Sequence, residues 1–257
     1  MPSHERAAMS RTVLVLGGTT EARELAAALD AWPGTRVIST LAGRVAKPRL
    51  PAGEVRIGGF GGPERLAAYI AHERTDAVID ATHPFAQRMS DSAVLACALA
   101  AVPLLRLERP PFRSRPGDDW RRVATLAQAA ATIPAAGRRV FLTTGRQGLA
   151  AFEGVGGAFF LVRCVDPPEA PLPAEHELLL DRGPFTLESE LALIDRHGLD
   201  LLVTKDSGGR YTEAKLEAAR LRGMPVIFVA RPPRSESPMA ATVAEALAWL
   251  HDGSHVG

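Results

Sequence analysis

The residues best equipped for chemistry stand where apolar runs break into glycine, threonine and charged side chains. The first break reads Gly17-Gly18-Thr19-Thr20-Glu21-Ala22, directly after the apolar run 12–16. A glycine turn between a strand and a helix lets the backbone approach phosphate oxygens, and the helix start adds unpaired N–H groups and a positive dipole end. Thr19 and Thr20 carry hydroxyls that can cap that helix or donate to phosphate. The third glycine of the G-x-G-x-x-G pattern is absent, and Ala22 is the nearest small residue. A tight turn with a capping threonine would use the same residues, so both readings stand at this point.

The next break sharpens the phosphate reading. Folds that bind NAD place an acidic side chain about 20 residues beyond the glycines to accept the ribose hydroxyls. Here the stretch reads Ser39-Thr40-Leu41-Ala42-Gly43-Arg44, and 31–53 contains no Asp or Glu but does contain Arg36, Arg44, Lys47 and Arg49. A carboxylate there would repel a 2′-phosphate, whereas hydroxyls and a guanidinium would bind one. The pattern favours NADP over NAD, with a solvated basic loop as the plain alternative.

Gly58-Gly59-Phe60-Gly61-Gly62 reads as a loop lying against a ligand or as a flexible connection. Asp80-Ala81-Thr82-His83-Pro84-Phe85 follows a further apolar run, and ligands of open parallel sheets sit beyond the carboxyl ends of the strands. His83 is there to bind or to handle a proton, or merely to cap. In the second half, Thr143-Thr144-Gly145-Arg146, Arg182-Gly183-Pro184-Phe185 and Thr204-Lys205-Asp206-Ser207-Gly208-Gly209 take the same kind of place. Arg146, Arg182 and Lys205, with the neighbouring hydroxyls, suit a ligand bearing more than one carboxylate. Ordinary helix capping among surface charges is the alternative.

The elements that must position these residues alternate along the chain. Strands are expected at 12–16, 36–40, 54–57, 77–80 and 103–107, each buried on both faces. Ala22, Leu25, Ala26 and Leu29 mark one helical face, Leu66, Ala67 and Ile70 another after Pro63, and 85–101 a third. The segment 108–119, with three prolines and three arginines, reads as a junction. Beyond it, strands are expected at 139–143, 158–165, 177–181, 201–204 and 226–230, and helices at 126–133, 147–155, 187–197, 212–222 and 242–251. No short repeat is evident. The β-α-β rhythm predicts an α/β fold of two Rossmann-like or flavodoxin-like lobes, each with a mostly parallel sheet, and a cleft between them. The boundaries fall at 11–110 and 120–252.

Composition sets the outer limits. In a chain of 257 residues, 46% are apolar and 23% charged, enough for a substantial core. A net charge of +1 argues against nucleic-acid binding by bulk electrostatics. No stretch approaches the roughly 18 apolar residues of a membrane span. Residues 1–10 lack the apolar core of a signal peptide and are expected, with 253–257, to be floppy. A cytosolic enzyme, with a monomer as one open possibility, is the expectation. Cys97 and Cys164 have no metal-type spacing and are expected as buried thiols, with no bound metal.

The glycine turn at 17–22, the block Asp80-Ala81-Thr82-His83-Pro84-Phe85-Ala86, the turn at 143–146 and the block at 204–209 together resemble the precorrin-6A reductase family of cobalamin biosynthesis, over roughly 11–252. The blocks at 80–86 and 204–209 are specific; the glycine turn alone is not. The resemblance implies that a hydride passes from NADPH to one carbon of the tetrapyrrole precorrin-6A and a proton to its neighbour, giving precorrin-6B without metal or flavin. Gly17, Gly18, Thr19, Thr20, Glu21, Ser39, Thr40, Arg44, Gly59 and Thr82 then become the expected cofactor residues. Thr144, Arg146, Arg182, Phe185, Lys205 and Ser207 become the expected tetrapyrrole contacts, Phe85 with Phe185 covering its apolar face. His83, Lys205, Asp206 or water would supply the proton. A cobalt-containing substrate remains open, as do a reductase or epimerase for another small molecule and a two-lobed sensor that only binds.

Overall fold

Strands with no polar face require cover on both sides, and the chain provides it by following most strands with a helix. The computed structural model describes residues 11–43, 49–136, 138–209 and 212–252. The leader at 1–10, the tail at 253–257, Arg44 and Lys47 lie outside the described residues. The elements are β1 (Arg11–Leu16), α1 (Thr20–Asp30), β2 (Thr35–Leu41), β3 (Glu54–Ile57), α2 (Pro63–His72), β4 (Ala77–Asp80), α3 (Gln87–Ala100) and β5 (Leu104–Leu107). They continue with β6 (Trp120–Val123), α4 (Leu126–Ala136), β7 (Arg139–Leu142), a 3-10 turn (Leu149–Phe152), β8 (Phe159–Cys164), β9 (His176–Leu180) and α5 (Leu187–His197). Last come β10 (Leu201–Lys205), α6 (Ala214–Leu221), β11 (Val226–Val229), β12 (Met239–Ala240) and α7 (Val243–Asp252).

Two compact units result. One sheet runs β12-β5-β4-β1-β2-β3 and the other β6-β11-β10-β7-β8-β9. Every described strand pair is parallel. Val13, Leu14 and Val15 of β1 are fully buried, and Ala22, Leu25, Ala26 and Leu29 form the buried face of α1 as their spacing predicts.

Some expectations need correction. The edge strand β3 is exposed or half-buried along its length, because only one neighbour pairs with it. The helix expected at 147–155 shrinks to the single 3-10 turn. Gly148 stands at φ +88°, in the left-handed region, so a right-handed helix does not run through this position. The strand β6 was not anticipated, since its Trp-Arg-Arg-Val sequence carries charge on an outer edge.

The second unit does not extend to 252. It spans Pro110–Pro232, and of the described residues beyond it 233–252 pack into the first unit. The reason is the open edge of β5: Arg106 N–H donates to the Pro238 carbonyl and Glu108 N–H to that of Ala240, both at 2.9 Å. Ala240, Ala246 and Leu250 then join the core around β1 and α1. The other sheet does the same with a strand from the opposite direction: Ala230 N–H donates to the Val123 carbonyl at 2.8 Å. Each crossing is made at an Arg-Pro-Pro, Arg109-Pro110-Pro111 outward and Arg231-Pro232-Pro233 back.

The two exchanged pieces are an internal repeat that the linear reading did not find. Val123-Ala124-Thr125-Leu126-Ala127-Gln128-Ala129 matches Ala240-Ala241-Thr242-Val243-Ala244-Glu245-Ala246. Thr125 Oγ1 accepts from Gln128 N–H while Gln128 Oε1 accepts from Ala124 N–H, and Thr242, Glu245 and Ala241 repeat the arrangement. Both caps fix where the following helix starts. Cys97 and Cys164 are buried, and burial pushes the Cys97 thiol up to about 12, so it packs as a small hydrophobe. Among the described residues no helix is long and apolar enough to cross a membrane.

Candidate functional site

In each sheet the strand order reverses once, between β1 and β4 in the first and between β7 and β10 in the second. Ligands of open α/β sheets bind outside the carboxyl ends of the strands at such a reversal. The first reversal is flanked by the turn Gly17–Thr20 and the segment 81–85, the second by 143–146 and 205–207. The motifs at 17–22, 80–85, 143–146 and 204–209 therefore fall at the two positions where these sheets open, while those at 58–62 and 182–185 follow the edge strands β3 and β9.

In the first unit Gly17 N–H donates to the Thr40 carbonyl at 2.9 Å, and a Cβ on Gly17 would sit 3.2 Å from that same oxygen. Gly18 has φ +119° with open space where a side chain would project. The start of α1 thus presents its free N–H groups behind a glycine surface, the cradle that a pyrophosphate needs. Thr19 is committed elsewhere: its hydroxyl accepts from Ala22 N–H at 3.1 Å and donates to the Ala81 carbonyl at 2.8 Å. Its part is to cap the helix and to tie the β1 turn to the end of β4. Thr20 Oγ1 accepts from Arg23 and donates to no described residue, so its hydrogen is available. Glu21 pairs with Arg109 at 2.7 Å.

Ser39 and Thr40 lie inside β2 and are buried; the strand runs on to Leu41 and exposes Ala42 and Gly43. Arg36 is not available to a phosphate. It stands at the beginning of β2 and is held by Glu54 at 2.7 Å and Glu73 at 2.9 Å. A different arginine stands beside the end of β2. Arg56 pairs in register with Thr40, donates to the carbonyls of Gly58 (2.8 Å) and Gly59 (3.3 Å), and stacks 4.1 Å from the Phe60 ring. It braces the glycine loop and brings a positive charge to the carboxyl end of β3. An arginine two residues before a glycine-aromatic-glycine loop was the overlooked signal. No neighbour lies within 4 Å of a Cβ placed on Gly59, so its surroundings are open.

The block at 80–85 divides its work. Buried Asp80 accepts from the Thr82 N–H (3.1 Å) and the Thr82 hydroxyl (2.7 Å) and faces Arg106 at 3.7 Å. The Thr82 hydroxyl hydrogen is used on Asp80, so its oxygen and backbone are what it would offer a cofactor. His83 is exposed, and its Nδ1 accepts from Phe85 N–H at 3.2 Å. That bond makes Nδ1 the acceptor and puts the proton of the neutral imidazole on Nε2.

In the second unit Thr143 N–H and hydroxyl both donate to the Val203 carbonyl, and the Thr144 hydroxyl is buried without a hydrogen-bond partner among the described residues. Arg146 is half-buried beside it. Lys205 Nζ lies 3.4 Å from the Gln147 carbonyl, and burial lowers its ammonium to about 8. Ser207 Oγ meets Thr212 Oγ1 at 3.2 Å. Asp206, one of the proton-donor candidates, is held as an anchor between elements. Its Oδ1 accepts from Phe112 N–H at 3.0 Å, and Arg122 and Arg231 stand 3.7 and 3.9 Å from its oxygens. Arg182 and Phe185 belong to a separate group at the end of the edge strand β9. There the buried Arg163, 2.5 Å from Glu190, lies 3.7 Å from the Phe185 ring.

The site and fold define a doubly wound, parallel-sheet protein with a dinucleotide-type turn in one unit and a cationic, hydroxyl-rich strand end in the other. The family model described as precorrin-6x reductase CbiJ/CobK matches residues 12–251. The chain is 49% identical to precorrin-6A reductase of Rhodococcus erythropolis over 93% of this chain and 96% of that one. It is 33% identical to cobalt-precorrin-6A reductase of Salmonella typhimurium, over 86% and 87% of the two chains. A solved structure titled CobK precorrin-6A reductase superposes with a TM-score of 0.90 at 42% identity, covering 95% of this chain and 97% of that one. The chain belongs to the precorrin-6x reductase family.

Proposed function

We propose that this chain reduces precorrin-6A to precorrin-6B with NADPH, the first unit holding the dinucleotide and the second the tetrapyrrole. The observation that carries the reading is the pairing of family membership over 12–251 with a glycine cradle and strand-end cations at the two sheet reversals. The metal-free substrate is favoured over the cobalt complex by the gap between 49% and 33% identity. The expected location is the cytosol.

When bound, NADPH supplies the hydride. The chain's own residues align and exclude water, which is where an enzyme of this kind gains most of its rate. Gly17, Gly18 and Thr20 hold the pyrophosphate at the start of α1, and Arg56 faces the 2′-phosphate; Arg44, expected there from the sequence, lies outside the described residues. The ammonium of Lys205 and the guanidiniums of Arg146 and Arg182 pair with acetate and propionate groups of the macrocycle. Because burial lowers Lys205 to about 8, its charge is present below that pH and lost as pH rises through it. The same group is therefore able to yield a proton near neutrality, with His83 Nε2 the other candidate and Asp206 withdrawn from the set.

Calorimetry with each reduced cofactor tests the reading. Charge-assisted bonds to one phosphate are worth about 1.5–3 kcal/mol, so NADPH is expected to bind at least about tenfold tighter than NADH. Equal affinity, or no binding of either, overturns it.

A further inference from the structure

We propose that Arg234 is a positioning residue for the reduction, holding the His83-Pro84 turn from a segment that returns to the first unit after the second is complete. The proposal rests on the reading above that this turn borders the reaction site.

The Arg234 side chain is 9% exposed, and it reaches the turn after β4, the start of α3 and the exit of β5. Nη2 donates to the carbonyls of His83, at 3.2 Å, and of Pro84. Nη1 donates to Ser90 Oγ at 3.2 Å and pairs with Glu108 at 3.0 Å. Flanking residues stitch the same surfaces together: Gln87 Nε2 donates to the Pro233 carbonyl, Ser235 Oγ to Asp91, and Arg106 to the Ser235 carbonyl. The imidazole of His83 is exposed and is held within its own turn by the Phe85 N–H, while the backbone beneath it is gripped by one planar fork. A guanidinium spans two adjacent carbonyls, a hydroxyl and a carboxylate at once; an ammonium in its place cannot. Moving that fork moves the imidazole and the wall it stands on, and misplacement by about 1 Å can cost a hundredfold in rate.

The experiment compares the wild type with Arg234→Lys and, as a control on the ion pair alone, Glu108→Gln. Thermal midpoint, NADPH affinity, kcat and KM for precorrin-6A, and the NMR signals of the His83 imidazole in the cofactor-free protein are measured. Arg234→Lys is expected to stay folded, to lower kcat about tenfold or more with a much smaller change in KM, and to shift the His83 signals. Glu108→Gln, which keeps the fork on the two carbonyls, is expected to change kcat less than Arg234→Lys does. Wild-type kcat with unshifted His83 signals in Arg234→Lys overturns the proposal. So does a loss of kcat matched by loss of folded protein with those signals in place. A wild type that does not turn over precorrin-6A would instead sink the functional reading, and the His83 signals would still decide the structural one.

Discussion

Replacing Glu190 by alanine is expected to cost the second unit about 3–5 kcal/mol, because it strands the guanidinium of Arg163 in the interior. The two side chains are 6% and 1% exposed and meet at 2.5 Å. Phe185 and Phe141 lie 3.7 and 4.7 Å from the guanidinium, so no water can replace the lost carboxylate from those faces. At about 2–4 °C per kcal/mol, the thermal midpoint should fall by roughly 10 °C. Replacing both members with apolar residues, Arg163→Met with Glu190→Leu, should recover most of the loss, since the penalty belongs to the unpaired charge and not to the missing bond. The double variant should still bind the tetrapyrrole more weakly, because Arg163 is what holds the Phe185 ring. A drop below about 1 kcal/mol in Glu190→Ala would mean that Arg163 finds another partner.

The second large effect is expected at Gly18. A Cβ there has no neighbour within 4 Å, yet valine must adopt φ +119°, which β-branched side chains do not tolerate. Backbone strain of this kind costs about 1–3 kcal/mol, and the branched side chain also occupies the space from which phosphate oxygens approach the start of α1. Gly18→Val should therefore weaken NADPH binding by on the order of a hundredfold. Calorimetry checks it, with circular dichroism confirming the fold. An affinity within a few-fold of the wild type would show that the phosphates do not lie against this turn.

The sequence made most of the first sheet legible because β1 and β4 carry the unbroken apolar runs 13–16 and 77–79, and α1 shows its stripe without interruption. It hid the exchange of strands. β12 is two residues long and joins β5 through backbone groups, which leave no mark in side-chain pattern. β6 carries two arginines on an edge. The only textual trace was the paired Arg-Pro-Pro crossings and the repeated Ala-Thr-capped helix starts.

The site was legible by position and less so by role. Glycine turns and charged strand ends were found where the sheets reverse, because topology dictates where ligands sit. Which hydroxyls and carboxylates remain free is settled by partners far away in the chain. Thr19 is taken by Ala81, Thr82 by Asp80, and Asp206 by Phe112 with Arg122 and Arg231. Arg36 looked like a phosphate ligand by spacing, but it lies at the wrong end of its strand between two glutamates. Arg234 sits among prolines and serines with nothing in its own neighbourhood to mark it.

The most direct test is anaerobic mixing of the purified chain with precorrin-6A and NADPH, followed by mass analysis of the tetrapyrrole. The account predicts a product heavier by two hydrogens for each NADPH oxidised. Precorrin-6A recovered with its mass unchanged, while the folded chain still holds NADPH, would contradict it.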